Sequence, residues 1–501
     1  MVKEKTKFIV VYGGGTSEIG KTHISASIGY LLKENGIDVC PVKFDGYLNY
    51  STGNMCKYHK TQKLKAFGEE VFVLEDGTEC DSDSGIYERF LGINLNKDSY
   101  ITNGRLLYEI IEKDRGEGKI LTFRSLKEEY KKILINKKCE VVLLEVGGSV
   151  GDIENKLFLE TIAELSHEYA TFGILIAPLM DLHKSTTSIS SSQTKLIRMS
   201  FLTLTQIGMR PDIIICRGKD TKIDKKVLNF IREETINSVF YIPFVDTIYE
   251  IPFILLKNKI PHLIFQKFHI KKKIKKRYRL ENIFRKTVNL KKTINLLIVD
   301  NMESCGSYVS IIDALKCAGI KENVKVNIVW DVKRKDFKLH GIVLLNDYEN
   351  IKRKYELLKI ARKNKIPTIG IGGGFYFLVN DFVRHVLKKT SIVKHGSLKV
   401  GLHKTTLEKS RGTEKIFGKN TIYERHRHSE YINNYEILRK SLLKPIGFSE
   451  EGHLEVVKLS DHPFYIGVAF NPEYSSKPLS PHPILLSFIR SIKKRYRLQK
   501  E

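Results

Sequence analysis

The stretch Lys7 to Tyr30, KFIVVYGGGTSEIGKTHISASIGY, constrains this chain more than any other. A short apolar run rich in β-branched residues, Phe8 to Val11, ends in glycines; beyond a polar loop, Ala and Ile recur at helical spacing. The segment therefore predicts strand, loop, helix. Within it, Gly15-Thr16-Ser17-Glu18-Ile19-Gly20-Lys21-Thr22 satisfies G-x4-G-K-[ST]. A loop of this kind cradles phosphates with backbone N–H groups, reaches the β- and γ-oxygens with its lysine and turns its hydroxyl toward Mg²⁺. Glycine is needed because the backbone must approach the anion and bend where a Cβ would clash.

At 501 residues the chain exceeds a single core, and two to four domains are expected. Its hydrophobic content of 42% is that of an ordinary globular protein. No N-terminal stretch has the plan of a secretory leader, and no apolar run approaches the ~20 residues of a membrane span. A cytoplasmic protein without a membrane partner is the expectation. The seven cysteines are scattered, without a C-x2-C pair, and read as reduced core thiols. A net charge of +27 directs attention to two runs, Lys271 to Leu280 and Lys493 to Leu498, which share Ile-Lys-Lys-Arg-Tyr-Arg-Leu when the preceding isoleucine is counted. With no nucleic-acid recognition module beside them, they read as a linker and a tail.

Strand-like runs at Val39–Phe44, Val141–Val146, Phe172–Ala177, Asp212–Cys216 and Val239–Pro243 alternate with helical stretches, predicting a parallel sheet covered by helices. After the first basic run, Ile294–Asp300 begins a second α/β series, with strands near Lys325–Trp330, Gly341–Leu345, Thr368–Gly372 and Phe464–Phe470.

Three constellations in the first half carry chemistry. Lys43 and Asp45 follow the second strand, where α/β folds place ligands. The stretch from Glu75 to Phe90, EDGTECDSDSGIYERF, concentrates carboxylates suited to a hard cation such as Mg²⁺, which takes one or two carboxylates plus substrate phosphates. Leu143–Glu154, LLEVGGSVGDIE, ends a buried strand in Glu145, as a Walker-B acid would.

In order and spacing, these motifs resemble the CTP synthase family. So do Gly208–Asp212, Cys216-Arg217 and Val245–Pro252, and the likeness covers nearly the whole chain. It implies a reaction in which ATP phosphorylates O4 of UTP and ammonia then displaces phosphate at C4. On this resemblance Gly15, Ser17, Glu18, Ile19, Gly20, Lys21, Thr22 and Asp83 would bind ATP, with Lys21 and Lys43 as the catalytic lysines. Asp83 and Glu145 would hold Mg²⁺; Ser17, Asp152, Ile153, Glu154, Thr194, Lys195 and Lys226 would contact the pyrimidine nucleotide. It further implies a homotetramer and CTP as a feedback ligand. The chain departs from the family at Gln193–Arg198, where the pattern K-T-K-x-x-Q retains only Thr194 and Lys195, at Ile86 in place of histidine, and at Lys119–Lys127.

The second half resembles a class I glutamine amidotransferase through Ala361–Pro367, Glu424–His428 and Phe470–Glu473. Glutamine hydrolysis needs a cysteine nucleophile, a histidine base, an orienting carboxylate and backbone donors for the oxyanion. The nucleophile position is Gly372, the base position is Asn471, and the oxyanion glycines are replaced in Leu345–Glu349; only Glu473 remains. These losses predict a dead glutaminase, with Arg425–His428 left as a surface, structural or interface remnant.

The expected architecture is α/β. A P-loop NTPase-like parallel-sheet amidoligase domain (1–268) is followed by a basic linker (269–293), a degenerate flavodoxin-like class I glutamine amidotransferase domain (294–490) and a basic tail (491–501). The expected activity is amination of UTP with free ammonia or ammonia from a separate protein. The alternative is a nucleotide-binding paralogue that regulates or joins an active enzyme.

Overall fold

The computed structural model describes residues 6–15, 19–52, 71–114, 122–179, 191–219, 223, 225–235, 237–299, 308–330, 339–345 and 351–498. The chain divides into two compact units, Met1–Met55 with Ile86–Phe284, and Cys56–Gly85 with Arg285–Glu501. Of the expected site residues, Ser17 and Glu18 lie outside the described residues, as do positions 346–349 of the oxyanion segment.

In the first unit, β1 (Lys7–Gly13) and β2 (Val39–Asp45) are apolar runs buried on both faces, as an all-parallel sheet requires. An antiparallel pair, β3 (Val71–Val73) and β4 (Glu79–Asp81), intervenes in the chain but groups with the second unit. Then come β5 (Tyr100–Thr102), β6 (Val141–Val146), β7 (Thr171–Pro178), β8 (Ile213–Gly218) and β9 (Ser238–Pro243). The sheet order is β5-β2-β6-β1-β7-β8-β9, parallel throughout. The chain builds one side of β1 through β2, β5 and β6 and then crosses to the other with β7. The carboxyl end of β1 is thus the switch point at which such sheets bind ligands.

The second unit holds β10 (Thr293–Val299), β11 (Lys325–Val329), β12 (Gly341–Leu344), β13 (Thr368–Ile371), β14 (Lys394–Leu407), β15 (Thr421–Tyr431), β16 (Leu443–Ser449), β17 (Leu454–Leu459) and β18 (Tyr465–Val468). Their order is β11-β10-β12-β13-β18-β17-β16-β14-β15, with the first five parallel and the remainder antiparallel. Alternate residues of β10 enter different cores, Leu296 and Ile298 one, Leu297 and Val299 the other.

Each basic run leads into or ends a helix. Arg279–Asn289 is a helix, and its approach is tied to the end of the helix Lys21–Glu34. Lys275 N donates to Asn35 Oδ1 at 2.7 Å, Leu280 N to the Tyr30 hydroxyl at 2.9 Å, and Arg279 Nε to Glu34 Oε1 at 2.9 Å. The second run closes the helix Pro483–Leu498, in which Ile492 is buried and Lys493 donates to Glu322 O at 2.6 Å. The basic side chains of these runs flank apolar residues that need burial, which a count of charge does not reveal. Among the described residues, no helix is long and apolar enough to cross a membrane.

Candidate active site

The loop after β1 leads into the helix Lys21–Glu34, which starts at Gly20 with φ +79°. Lys21 and Thr22 occupy the first turn and are both buried. Lys21 Nζ donates to Gly148 O at 2.5 Å, folding its ammonium back over the loop that follows β6. Gly13 makes this approach possible, because a Cβ there would lie 2.4 Å from Gly148 O and 2.6 Å from Lys21 Nζ.

Glu145, 1% exposed on β6, receives two hydrogen bonds. Thr22 Oγ1 donates to its Oε1 at 2.8 Å, and the Tyr87 hydroxyl donates to its Oε2 at 2.5 Å. A carboxylate cannot donate, so the tyrosine hydrogen is spent on Glu145 and the Ser25 hydroxyl, 2.7 Å away, donates to Tyr87. With its proton directed at Glu145, Thr22 Oγ1 keeps its lone pairs for a cation. Lys43 is the register neighbour of Glu145 in the adjacent strand, so both side chains leave the same face of the sheet. Its Nζ lies 3.8 Å from Asp45 Oδ2, and both side chains are buried.

The remaining expected nucleotide contacts fall into separate groups. Asp152 Oδ2 accepts from Ser149 N at 2.6 Å and shapes the loop past β6, where Ile153 is 81% exposed and Glu154 is exposed. Asn103 Nδ2 ties this loop to the end of β2 by donating to Glu154 O at 2.9 Å and Gly46 O at 3.0 Å. Leu196 packs against Gly15, bringing the start of the helix Ser191–Gln206 to the phosphate loop. On that helix Thr194 is buried and Lys195 exposed. Lys226 is exposed in the first turn of the helix Lys225–Thr235. Asp83 sits in the first turn of the helix Ser82–Leu91, one turn before Tyr87.

Two participants were not singled out by sequence. In the sequence Tyr87 is one member of the motif Glu75–Phe90, and its place four residues after Asp83 puts both on one helix face. Arg217 is buried and donates through Nε to Ile19 O at 3.2 Å and through Nη1 to Pro243 O at 2.9 Å, bracing the loop end from β8. Burial pushes its guanidinium down to about 10, so it remains a cation at neutral pH. Among the described residues, no group of three or more His, Cys, Asp or Glu side chains is arranged to hold a metal. A cation here would depend on Thr22, carboxylates and the phosphates of its substrate.

In the second unit, β13 passes through Gly372 into the helix Gly373–Asp381. Gly372 has φ +56° and ψ −122°, and its N donates to Val468 O at 3.0 Å. A sharp strand-to-helix turn with strained backbone is how hydrolases present a nucleophile, but here no side chain is presented. Asn471, at the position where the resemblance expects a base, donates through Nδ2 to Glu473 Oε1 at 2.8 Å. Burial pushes the Glu473 carboxyl up to about 7, the hydrogen bond from Asn471 only partly opposing it. Among the described residues, Glu473 Oε2 and Asn471 Oδ1 have no hydrogen-bond partner.

The Arg-His-Arg-His stretch on β15 is not a surface patch. Arg425, His426 and His428 are all buried. His426 Nδ1 and His428 Nε2 lie 2.9 Å apart, and His428 Nδ1 is 3.0 Å from the Tyr376 hydroxyl. Burial holds the His426 imidazole well below its ordinary range and that of His428 down at about 4, so both are neutral at pH 7.

The family model for the CTP synthase N-terminus matches residues 7–270, and that for class-I glutamine amidotransferases matches residues 302–491. The CTP synthase of Sulfolobus acidocaldarius is 32% identical over 538 residues, covering 97% of this chain and 99% of its own length. That of Clostridium acetobutylicum is 31% identical over 542 residues, covering 97% of this chain and 98% of its own. With both halves matched and the similarity running from end to end, the chain belongs to the CTP synthase family.

Proposed function

We propose that this chain converts UTP to CTP at the expense of ATP, using ammonia in solution or ammonia from a separate protein, and that its own second half releases none from glutamine. The first unit supports the phosphoryl step. A buried lysine, a threonine hydroxyl and a doubly hydrogen-bonded glutamate converge at the switch point of a parallel sheet, and phosphoryl transfer is mostly positioning and charge neutralisation. Lys21 would lie along the β- and γ-phosphates of ATP, and Lys43 would offset the charge that develops as the γ-phosphoryl group passes to O4 of UTP. Thr22 and Glu145 would hold Mg²⁺, which supplies further neutralisation of phosphate charge; a hydroxyl and a carboxylate are the hard oxygen donors it takes. Attack of ammonia at C4 then expels phosphate and leaves CTP.

The observation that carries the ammonia requirement is Gly372, a turn with no side chain to present, together with an Asn471–Glu473 pair that holds no base. An amide cannot take a proton from a thiol or a water. The full chain incubated with ATP, UTP and Mg²⁺ should form CTP when ammonium chloride is supplied. When glutamine is supplied instead, it should form no CTP and release no glutamate above background. Steady glutamate release would overturn the reading of the second half; no CTP from ammonium would overturn that of the first.

A further inference from the structure

Thr22, Ser25, Tyr87 and Glu145 all belong to the first unit, and all four are buried. Thr22 and Ser25 lie three residues apart in the helix Lys21–Glu34 and so share one of its faces. Glu145 stands on β6, and Tyr87 reaches it with a phenol that is 1% exposed. That phenol has one hydrogen and two neighbours. The Glu145 carboxylate can only accept, whereas the Ser25 hydroxyl can also donate, so every group is satisfied when the hydrogens run from Ser25 to Tyr87 and from Tyr87 to Glu145. The helix therefore holds Glu145 by two routes. One is direct, from Thr22 to Oε1 at 2.8 Å; the other passes from Ser25 through Tyr87 to Oε2.

The last torsion of a glutamate is soft, so a carboxylate held at one oxygen swings, and one held at both has its plane set. Each oxygen keeps a further lone pair, and the plane decides where those lone pairs point. Neighbouring oxygen ligands of an octahedral Mg²⁺ at ~2.1 Å lie about 3 Å apart. Thr22 Oγ1 and Glu145 Oε1 are already at nearly that separation. We propose that Tyr87, oriented by Ser25, is a positioning residue for phosphoryl transfer: it sets the plane of the Glu145 carboxylate, so that this group and the Thr22 hydroxyl serve one divalent cation. The inference rests on the proposed role of Thr22 and Glu145 toward Mg²⁺.

The test uses the full chain as wild type, Tyr87→Phe, Ser25→Ala and the double variant Tyr87→Phe/Ser25→Ala. Phenylalanine keeps the ring and its packing and removes only the hydroxyl. Binding of Mn²⁺ in the presence of a β,γ-imido analogue of ATP is read from the loss of the free Mn²⁺ electron-resonance signal. The dissociation constant for Mn²⁺ should rise ~10-fold in Tyr87→Phe, the scale of losing a group that orients a metal ligand. It should rise by a smaller factor in Ser25→Ala, and the double variant should be no worse than Tyr87→Phe, because Ser25 acts through the phenol. In CTP formation from ammonium the half-saturating Mg²⁺ concentration should rise by the same factor, with KM for UTP unchanged. Unchanged Mn²⁺ affinity in Tyr87→Phe would overturn the inference. So would a Ser25→Ala effect that adds in full to that of Tyr87→Phe, or a wild type that binds no Mn²⁺ with the analogue. If the wild type binds Mn²⁺ and makes no CTP from ammonium, the functional reading has failed, and the binding comparison still decides the role of Tyr87.

Discussion

Two strand-to-helix turns of this chain, each with a positive-φ glycine before its helix, differ in what they present. After β1, Gly20 takes φ +79° and the helix opens with Lys21 and Thr22; after β13, Gly372 takes φ +56° and the helix opens with Gly373 and Gly374. A phosphate loop binds with its backbone N–H groups, so glycine there is part of the chemistry. A nucleophile elbow works through one side chain held on a strained backbone, so glycine there relieves the strain and removes the chemistry together. The surrounding packing maintains the backbone at the second turn: Gly374 is pressed so close to Leu344 O that a Cβ would sit 2.1 Å away.

The sharpest way to break this contrast is Lys21→Ala. If the first turn is the active one, ammonia-dependent CTP formation should fall by ~10²–10³, the cost of one charged transition-state contact. Initial rates at saturating ATP measure it, and an unchanged rate would put the ATP site elsewhere.

Glu473→Gln probes the other turn. Burial raises the carboxyl from 4.5 to about 7, so the folded protein holds a proton that the unfolded chain releases between those values. That stabilisation is complete below pH 4.5 and is lost as the pH rises through 7, amounting to about 3 kcal/mol by pH 8. Glutamine keeps the acceptor for Asn471 and cannot ionise. The variant should melt above wild type at pH 8 and lose that advantage at pH 5; parallel melting curves at both pH values would contradict the burial argument.

Gly372→Cys restores a sulfur without a base. It should show no glutaminase activity, since members of such a unit act together, and should lose ~1–2 kcal/mol of stability to the positive φ. Recovery should require at least Asn471→His and glycines at 346 and 347 as well. Glutamine hydrolysis by the single variant would mean that another group supplies the base.

The smallest effect is expected at Arg279, whose guanidinium is 67% exposed beside a buried Glu34. Arg279→Ala should cost no more than ~1 kcal/mol in urea unfolding of the full chain. A larger loss would make the first basic run a principal support of its unit, and a smaller one would return it toward the linker first expected.

The sequence by itself determined the two α/β series and the family, and it places Gly372 and Asn471 where the resemblance expects a cysteine and a histidine. All of these rest on local patterns: buried parallel strands read as continuous apolar runs, and a missing cysteine or histidine is a fact of composition at one position. Only the tertiary structure decided that Thr22 and Tyr87 both donate to Glu145, residues 123 and 58 positions distant in the chain. It also decided that Arg217 braces the loop and that Arg425 and Arg427 hold a hairpin some 350 residues earlier, at separations of 352 and 348. The antiparallel strands β14–β17 are likewise not legible in the sequence, since β14 is largely exposed and lacks a clean apolar alternation. Hydrogen bonds between distant polar side chains leave no periodicity in a sequence, because each partner obeys only the pattern of its own element.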